Sequence, residues 1–215
     1  SSKFLDEIII LDVSRTGSDY NKFIDTVQNV VKSSFIPVAV GGGIKRLEDV
    51  DQLIRSGADK VVINSMFYSN PDEIKKITSK YGIQSVIASI DYKRNKNFDE
   101  VYINNGSKKI EIDLVEHIKR VIDVGVGEIL LNSMDQDGTG QGFDLDVINR
   151  IGDIKNTSLI ISGGAGRVDH FSEALILDYD AASTANLFNF IGDGLRCSRE
   201  DLMAKKINIP VFDRD

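Results

Sequence analysis

Residues that carry much of enzyme chemistry are scarce in this sequence. Its 215 residues include one cysteine, Cys197, and two histidines, His117 and His170. A single cysteine cannot form an internal disulfide, which is typical of proteins from a reducing cytoplasm. Cys197 follows no predicted strand, and each histidine falls in a predicted helix with no second histidine beside it. We therefore expect no metal, no cofactor and no thiol nucleophile, which leaves acid–base chemistry to carboxylates.

Positive charge and long apolar runs are also lacking. The formal net charge is −7, which argues against nucleic acid as a partner. No apolar run approaches the ~20 residues that a membrane helix needs. Residues 1–4 do not have the form of a signal peptide. The composition thus predicts a cytoplasmic globular protein that binds neither nucleic acid nor membrane.

A glycine-rich turn, Gly41-Gly42-Gly43, is the most informative stretch that is present. It follows the apolar run 37–40 and precedes the amphipathic run 47–56, so it joins a buried strand to a helix. Backbone amides that no side chain covers, at the start of a helix, bind anions. The pattern is equally typical of a tight turn that requires positive φ. By itself the turn leaves both interpretations open.

The turn recurs 121 residues later as Ser162-Gly163-Gly164-Ala165-Gly166. The same offset pairs Glu7 with Glu128 and Asp59 with Asp180. An offset that holds without insertion over several elements indicates two homologous halves. Two equivalent anion sites, one in each half, predict a ligand that carries two phosphates.

Strands and helices alternate along the chain. Continuous rather than alternating apolarity, as in Glu7–Val13, is typical of strands that are covered on both faces of a parallel sheet. The predicted strands are 7–13, 37–41, 60–65, 85–91, 128–131, 158–162 and 181–185, with a short β excursion at 100–104. The predicted helices are 19–34, 47–56, 70–80, 113–124, 145–151, 168–177 and 198–206.

Seven strand–helix units of this kind predict a parallel sheet with right-handed crossovers. The twofold repeat favours a (β/α)8 barrel of two half-barrels, with residues 1–215 as a single domain; a doubly wound sheet is the alternative. A barrel of this type has eight units. Strand 85–91 has no counterpart 121 residues earlier, so we expect the first unit to be absent from this chain.

Functional groups of such barrels lie on the segments that follow the strands. Asp91 ends a nearly continuous apolar run, and desolvation at such a position raises a carboxyl pKa into a catalytic range; a loop-capping role is the alternative. Asp137, Gly138 and Thr139 suit substrate hydroxyls, but a plain Asp-Gly turn explains them too. The strand-end positions are Asp12, Gly42, Gly43, Asn64, Ser65, Asp91, Asp135, Asp137, Gly163, Gly164, Ala185 and Asn186.

Three charged residues begin alternate strands, at the opposite end of the barrel. Glu7, Lys60 and Glu128 start the predicted strands that contain them. Each by itself is typical of a solvent-exposed strand start. Together they predict an inward-facing ring of ion pairs that closes the floor of the barrel.

These residues resemble the cyclase subunit of imidazole glycerol phosphate synthase, the barrel of histidine biosynthesis, over essentially the whole chain. The resemblance implies a barrel that receives ammonia from a glutaminase subunit docked on its N-terminal face, in a heterodimer. It further implies reaction of ammonia with a two-phosphate ribonucleotide, giving imidazole glycerol phosphate and an aminoimidazole carboxamide ribotide. The segments that carry the resemblance are 6–12, 40–44, 57–64, 90–94, 127–131, 135–139 and 162–166.

Carried over by position, the resemblance makes Asp91 one of two catalytic aspartates and Glu7, Lys60 and Glu128 an ammonia gate. It assigns one phosphate site to Gly42, Gly43, Asn64 and Ser65, and the other to Gly163, Gly164, Ala185 and Asn186.

The sequence also departs from that family. Asn132 replaces a usual threonine, Asn186 replaces a usual serine, and the stretch 106–111 lacks a usual Thr-Gly. Asn132-Ser133 and the altered stretch look similar to a paralogous branch that passes ammonia to sugar amidation in surface-polysaccharide synthesis. A non-catalytic barrel that only binds a glutaminase is the remaining alternative.

Overall fold

The computed structural model describes residues 4–14, 19–96, 98–152, 154, 156–177, 179–185, 187 and 194–210. Seven strands run parallel in the order in which they occur along the chain. Two further strands, β5 and β6, form an antiparallel hairpin on β4. The strands are β1 (Ile8–Leu11), β2 (Val38–Gly41), β3 (Lys60–Ile63), β4 (Val86–Lys93), β5 (Glu100–Ile103), β6 (Lys108–Asp113), β7 (Glu128–Ser133), β8 (Ser158–Ser162) and β9 (Ala181–Ala182).

Helices connect the parallel strands. Local signals start several of them: Asp19 accepts a hydrogen bond from the Lys22 N–H, Asp113 accepts one from the Glu116 N–H, and Pro71 takes the first position of its helix. The helices are α1 (Tyr20–Ser33), α2 (Leu47–Arg55), α3 (Met66–Ser69), α4 (Pro71–Tyr81), α5 (Leu114–Val124), α6 (Val147–Ile151), α7 (Asp169–Ile176) and α8 (Gly194–Ala204), with a 3₁₀ turn at Ile83–Ser85.

The sheet curls into a barrel wall. Strands that follow one another in chain order with right-handed crossovers place all connecting helices on one face of the sheet. On the other face, one residue from each parallel strand joins a single apolar cluster, which consists of Ile9, Ala39, Val62, Ile87, Leu130, Ile160 and Ala181. Because Ile9 and Ala181 come from opposite ends of the strand order, the sheet must curve around them. The predicted α/β barrel architecture is therefore confirmed, and the doubly wound sheet is wrong.

The two halves repeat each other in hydrogen bonds as well as in sequence. The Asp59 carboxylate accepts from the Val38 N–H at 2.8 Å, and the Asp180 carboxylate accepts from the Leu159 N–H at 2.7 Å. Both pairs are separated by 21 residues and are related by the offset of 121. In each half an aspartate before one strand thus satisfies an amide near the start of the preceding strand.

Four element predictions need correction. β4 continues to Lys93 rather than ending at Asp91, because its last three residues pair with β5 and two of them, Asp91 and Tyr92, also pair with β7. The β excursion is a two-stranded hairpin whose second strand, β6, was not predicted. Helix α3 follows β3 directly, where a strand to residue 65 was expected, and α8 begins four residues before the predicted start at 198.

Candidate functional site

The carboxyl ends of the parallel strands surround one open cavity of about 2430 Å³. Because the strands are parallel, the segments that follow them meet at one rim. The predicted site residues that line the cavity at this rim are Asp12, Gly42, Gly43, Asn64, Ser65, Asp91, Asp137, Gly138, Gly163, Gly164 and Ala185, while Glu7 and Glu128 line it at the floor. Both glycine turns thus share one face of the barrel with Asp91.

The first glycine turn has a backbone that requires glycine. Gly42 adopts φ 108°, and a Cβ there would lie 2.3 Å from the Asp12 carbonyl oxygen. Gly43 adopts φ 66°, and a Cβ there would meet nothing within 4 Å. Gly42 is therefore required by close packing, whereas Gly43 faces open space in which a ligand can approach its backbone.

The second turn is the structural counterpart of the first. Gly163 adopts φ 89°, and a Cβ there would lie 2.5 Å from the carbonyl oxygen of Ser133. Ser133 is the residue that the offset of 121 makes equivalent to Asp12. The turn is also tied to neighbouring loops: the Gly142 N–H donates to the Gly164 carbonyl at 2.8 Å. Buried His170 accepts a hydrogen bond from the Gly166 N–H at Nδ1, 3.1 Å away. These bonds hold the second turn rigidly at the start of α7.

Asp91 lies between the two turns, and an amide side chain holds each of its carboxylate oxygens. Asn64, after β3, donates to Oδ2 at 3.0 Å, and Asn132, in β7, donates to Oδ1 at 2.9 Å. Burial raises the pKa of the Asp91 carboxyl above its usual value, and the negative charge of Asp137 adds to this, while the two amides oppose it. A carboxyl group with a raised pKa and a fixed orientation is suited to proton transfer.

Asn132 reaches Asp91 from a position that sequence motifs did not mark as a site. The residue was noted only as a departure from a family pattern. In the structure its Nδ2 contacts Asp91, and its Oδ1 would lie 3.3 Å from a Cβ at Gly163. Asn132 therefore bridges the carboxylate and the second glycine turn.

The tip of the β5–β6 hairpin, residues 104–107, was also missed. Asn105-Gly106 predicts a reversal of the chain, but not where the reversal lands. In the structure the Asn104 N–H donates to Ser65 Oγ at 3.0 Å, and a Cβ at Gly106 would lie 2.6 Å from Met134 Cε. The tip thus spans the rim from the end of β3 to the segment after β7, and its residues line the cavity.

Two predicted polar residues make hydrogen bonds within their own loops. Asp12 accepts a hydrogen bond from the Ser14 N–H at 2.9 Å, as a loop-capping aspartate does. Thr139 is exposed, and its hydroxyl donates to the Gln136 carbonyl at 2.7 Å within its own turn. Asn186, predicted to contact the second phosphate, lies outside the described residues.

The charged residues at the floor form the predicted ion pairs. Lys60 Nζ lies 2.6 Å from Glu7 Oε2 and 2.6 Å from Glu128 Oε1, and each of the three side chains is at most 24% exposed. Burial lowers the pKa of the Lys60 ammonium, but the two carboxylates outweigh burial and raise it. The second oxygen of Glu7, Oε1, is buried and receives no hydrogen bond from any described residue.

The remaining titratable residues do not form a metal centre in the described part of the chain, where no group of three or more His, Cys, Asp or Glu side chains is arranged to hold an ion. His117 is buried in α5, and burial together with nearby Arg120 lowers its pKa to about 4. Cys197 is exposed on α8. None of the described helices is both long and apolar enough to cross a membrane.

Comparison with known proteins finds similar sequences along nearly the whole chain. The family model for histidine biosynthesis proteins matches residues 1–191. A putative imidazole glycerol phosphate synthase subunit hisF2 of Parasynechococcus marenigrum is 43% identical over 201 residues, which cover 93% of this chain and 75% of that protein. The imidazole glycerol phosphate synthase subunit HisF of Pyrobaculum aerophilum is 44% identical over 185 residues, covering 86% and 73% of the two chains. The HisF subunit of Exiguobacterium sibiricum is 38% identical over 204 residues, covering 95% and 82%. The chain therefore belongs to the histidine biosynthesis protein family.

Proposed function

We propose that this protein is the cyclase-type subunit of a glutamine amidotransferase. It uses ammonia from a partner glutaminase to convert a two-phosphate ribonucleotide into imidazole glycerol phosphate and an aminoimidazole carboxamide ribotide. The observation that carries this proposal is the position of Asp91 between two equivalent glycine turns at one rim. The names of the similar subunits agree with it.

The two glycine turns supply the phosphate sites of this proposal. Gly43 faces open space, and Gly163 and Gly164 sit where β8 leads into α7. Backbone amides at such turns bind phosphate without a charged side chain. Two sites that are related by the internal repeat suit a ligand with a phosphate at each end, so the reacting centre of the ligand lies over Asp91.

Asp91 is the proposed proton-transfer group. Its raised pKa keeps a fraction of the carboxyl protonated nearer to neutral pH than an exposed aspartate, which suits both donation and removal of a proton. Asp137, on the segment after β7, contributes negative charge beside it.

The N-terminal face is the proposed docking surface for the glutaminase. Segments that lead from helices into strands lie on this face, and three of them expose large apolar side chains: Phe35 is 96% exposed, Ile83 50% and Leu177 44%. Exposed aromatic and aliphatic side chains on one face suit a protein interface, because the parts of an interface that become fully buried are enriched in apolar and aromatic residues. The ion pairs of Lys60 lie at the centre of this face and act as the gate through which ammonia enters the barrel.

The test is Asp91→Asn in the full-length protein. The substitution removes a proton-transfer group without changing its shape, so we expect turnover of the ribonucleotide with ammonium to fall by at least about 100-fold while substrate binding changes little. Asp72→Asn, an exposed aspartate on α4, is the matched control and should leave both unchanged. Full turnover by Asp91→Asn would contradict the proposal.

A second candidate is the paralogous role in which ammonia passes to sugar amidation. The observation that favours it is where the departures from the family pattern lie: Asn132 contacts Asp91, and the altered hairpin stretch begins at the tip that reaches Ser65. Both departures thus cluster at the proposed reaction centre. Wild-type protein that fails to turn over the ribonucleotide with ammonium, but binds the amide-transfer enzyme of a sugar pathway, would establish this role instead.

A further inference from the structure

A chain of hydrogen bonds runs from the hairpin tip to Asp91. The Asn104 backbone N–H donates to Ser65 Oγ at 3.0 Å, and Ser65 Oγ donates to Asn64 Oδ1 at 3.3 Å. Asn64 Nδ2 then donates to Asp91 Oδ2 at 3.0 Å. A backbone N–H can only donate, so it occupies a lone pair of the Ser65 hydroxyl and directs the hydroxyl proton onward to Asn64.

The direction of this chain decides which end of the Asn64 side chain faces the carboxylate. With Oδ1 engaged by Ser65, the NH₂ group points at Asp91. An amide rotated by 180° would instead place its oxygen against a carboxylate oxygen, which favours the protonated acid. Ser65 therefore fixes the orientation of Asn64, although it does not itself touch Asp91.

The same bonds occupy the Ser65 hydroxyl. A phosphate group needs hydrogen-bond donors, and the single proton of Ser65 is already directed to Asn64. In this arrangement the hydroxyl donates to Asn64 and accepts from the hairpin. The Ser65 hydroxyl is thus placed to act on Asp91 through its neighbour Asn64.

We propose that Ser65 is a positioning residue that couples the tip of the β5–β6 hairpin to the carboxylate of Asp91. This inference rests on the proposed function in treating Asp91 as the catalytic group. Asn132 holds the other carboxylate oxygen from β7 and does not depend on the hairpin. The hairpin therefore controls one side of Asp91 only.

The experiment compares Ser65→Val with Ser65→Thr, two side chains of nearly the same shape that differ in the hydroxyl. The pKa of Asp91 is measured by NMR of aspartate side chains labelled with ¹³C, without substrate, and Asp91→Asn identifies the signal. We expect Ser65→Val to raise this pKa by about one unit, the effect of weakening one hydrogen bond to a charged group, and Ser65→Thr to leave it unchanged. Asp137, the charged group that acts on Asp91 from the segment after β7, is intact in both variants.

Two further readouts separate positioning from a merely structural or phosphate-binding role. In Ser65→Val we expect kcat with ammonium to fall about tenfold with KM little changed, and hydrogen exchange of the Asn104 amide to accelerate. A hydroxyl that bound phosphate would raise KM instead, and would leave the Asp91 pKa unchanged in phosphate-free buffer. In an Asn64→Ala background, Ser65→Val should have no additional effect on the Asp91 pKa, because Ser65 acts through Asn64.

Equal Asp91 pKa values in the Val and Thr variants would overturn the inference. A fall of that pKa in Ser65→Val would also overturn it, because it would mean that Ser65 only holds the hairpin over the carboxylate. The NMR measurement needs no turnover. A shift seen in a protein without ammonia-dependent activity would therefore support the positioning role while refuting the proposed function. Normal activity with no shift would refute the positioning role alone.

Discussion

Replacing Lys60 is the sharpest test of the ion pairs at the floor of the barrel. Its single positive charge offsets the repulsion between two glutamates in a partly buried layer, and its amine lies 2.6 Å from a carboxylate oxygen of each. Lys60→Met keeps the length of the side chain and removes the charge. Removing one partner of a buried ion pair costs about 3–5 kcal/mol. Because each side chain keeps about a fifth of its surface exposed, we expect a loss at the lower end, about 3 kcal/mol at pH 7.

This loss depends on pH in a defined direction. Burial raises the pKa of Glu7 in the folded protein and Lys60 opposes that rise, so in the variant folding favours the protonated form of Glu7 more strongly than in the wild type. A carboxyl group with a raised folded-state pKa supports stability at low pH and loses that contribution as pH rises through its folded pKa. The difference in unfolding free energy between wild type and Lys60→Met should therefore be small near pH 4 and grow toward pH 7.

Urea unfolding at several pH values measures this difference, and Lys75→Met is the matched control. Lys75 pairs with Asp72 on the surface of α4, where the two side chains are 60% and 82% exposed, so its loss should cost less than about 0.5 kcal/mol at any pH. In the complex with the glutaminase, Lys60→Met should leave ammonium-driven turnover nearly intact but uncouple glutamine hydrolysis from product formation. Parallel loss of both activities, or a cost as small as that of Lys75→Met, would refute the gate.

Two further predictions follow from single residues. Gly43→Asn keeps a left-handed backbone that asparagine tolerates, and its Cβ would meet no atom within 4 Å. We expect it to cost less than about 1 kcal/mol in stability but to weaken the binding of phosphate ligands at least about tenfold, as measured by calorimetry. Gly42→Ala, whose Cβ would lie 2.3 Å from the Asp12 carbonyl oxygen, should instead impair folding. Burial lowers the pKa of His117 from 6.5 to about 4, so the unfolded chain takes up a proton first and stability falls as pH drops from 6.5 toward 4, by up to about 3 kcal/mol. His117→Gln should remove this part of the pH dependence in urea unfolding, and an unchanged difference between pH 7 and pH 4.5 would contradict the role of His117.

Most residues that sequence analysis identified stand in a local pattern, and the exception is the floor, where Lys60 pairs with residues 53 and 68 positions away. Continuous apolar runs of four to six residues mark buried parallel strands, and the glycine turns need positive φ whatever lies nearby. Lys60 was recognised because alternate strands of a parallel barrel place their first residues in one layer. The ion pairs of Lys60 with Glu7 and Glu128 followed from strand order alone.

The contacts that sequence analysis missed also join segments far apart in the chain, but no shared strand position brings their residues into one layer. Ser65 and Asn104 are 39 residues apart, and Asn132 and Asp91 are 41 apart. The hairpin sequence signals a turn but not its direction, since β4 extends past Asp91 only by pairing with β5 and β7 at once.

The sequence therefore predicts the strand order, the twofold repeat and the end of the strands at which the functional residues lie. It can do so because hydrophobic periodicity and glycine backbone requirements act over a few residues. Only the tertiary structure decides that one amide holds each oxygen of Asp91, and that a hairpin tip orients one of them. Those arrangements depend on hydrogen-bond distances of about 3 Å, and such distances are set by how the whole sheet curls rather than by any segment of the chain.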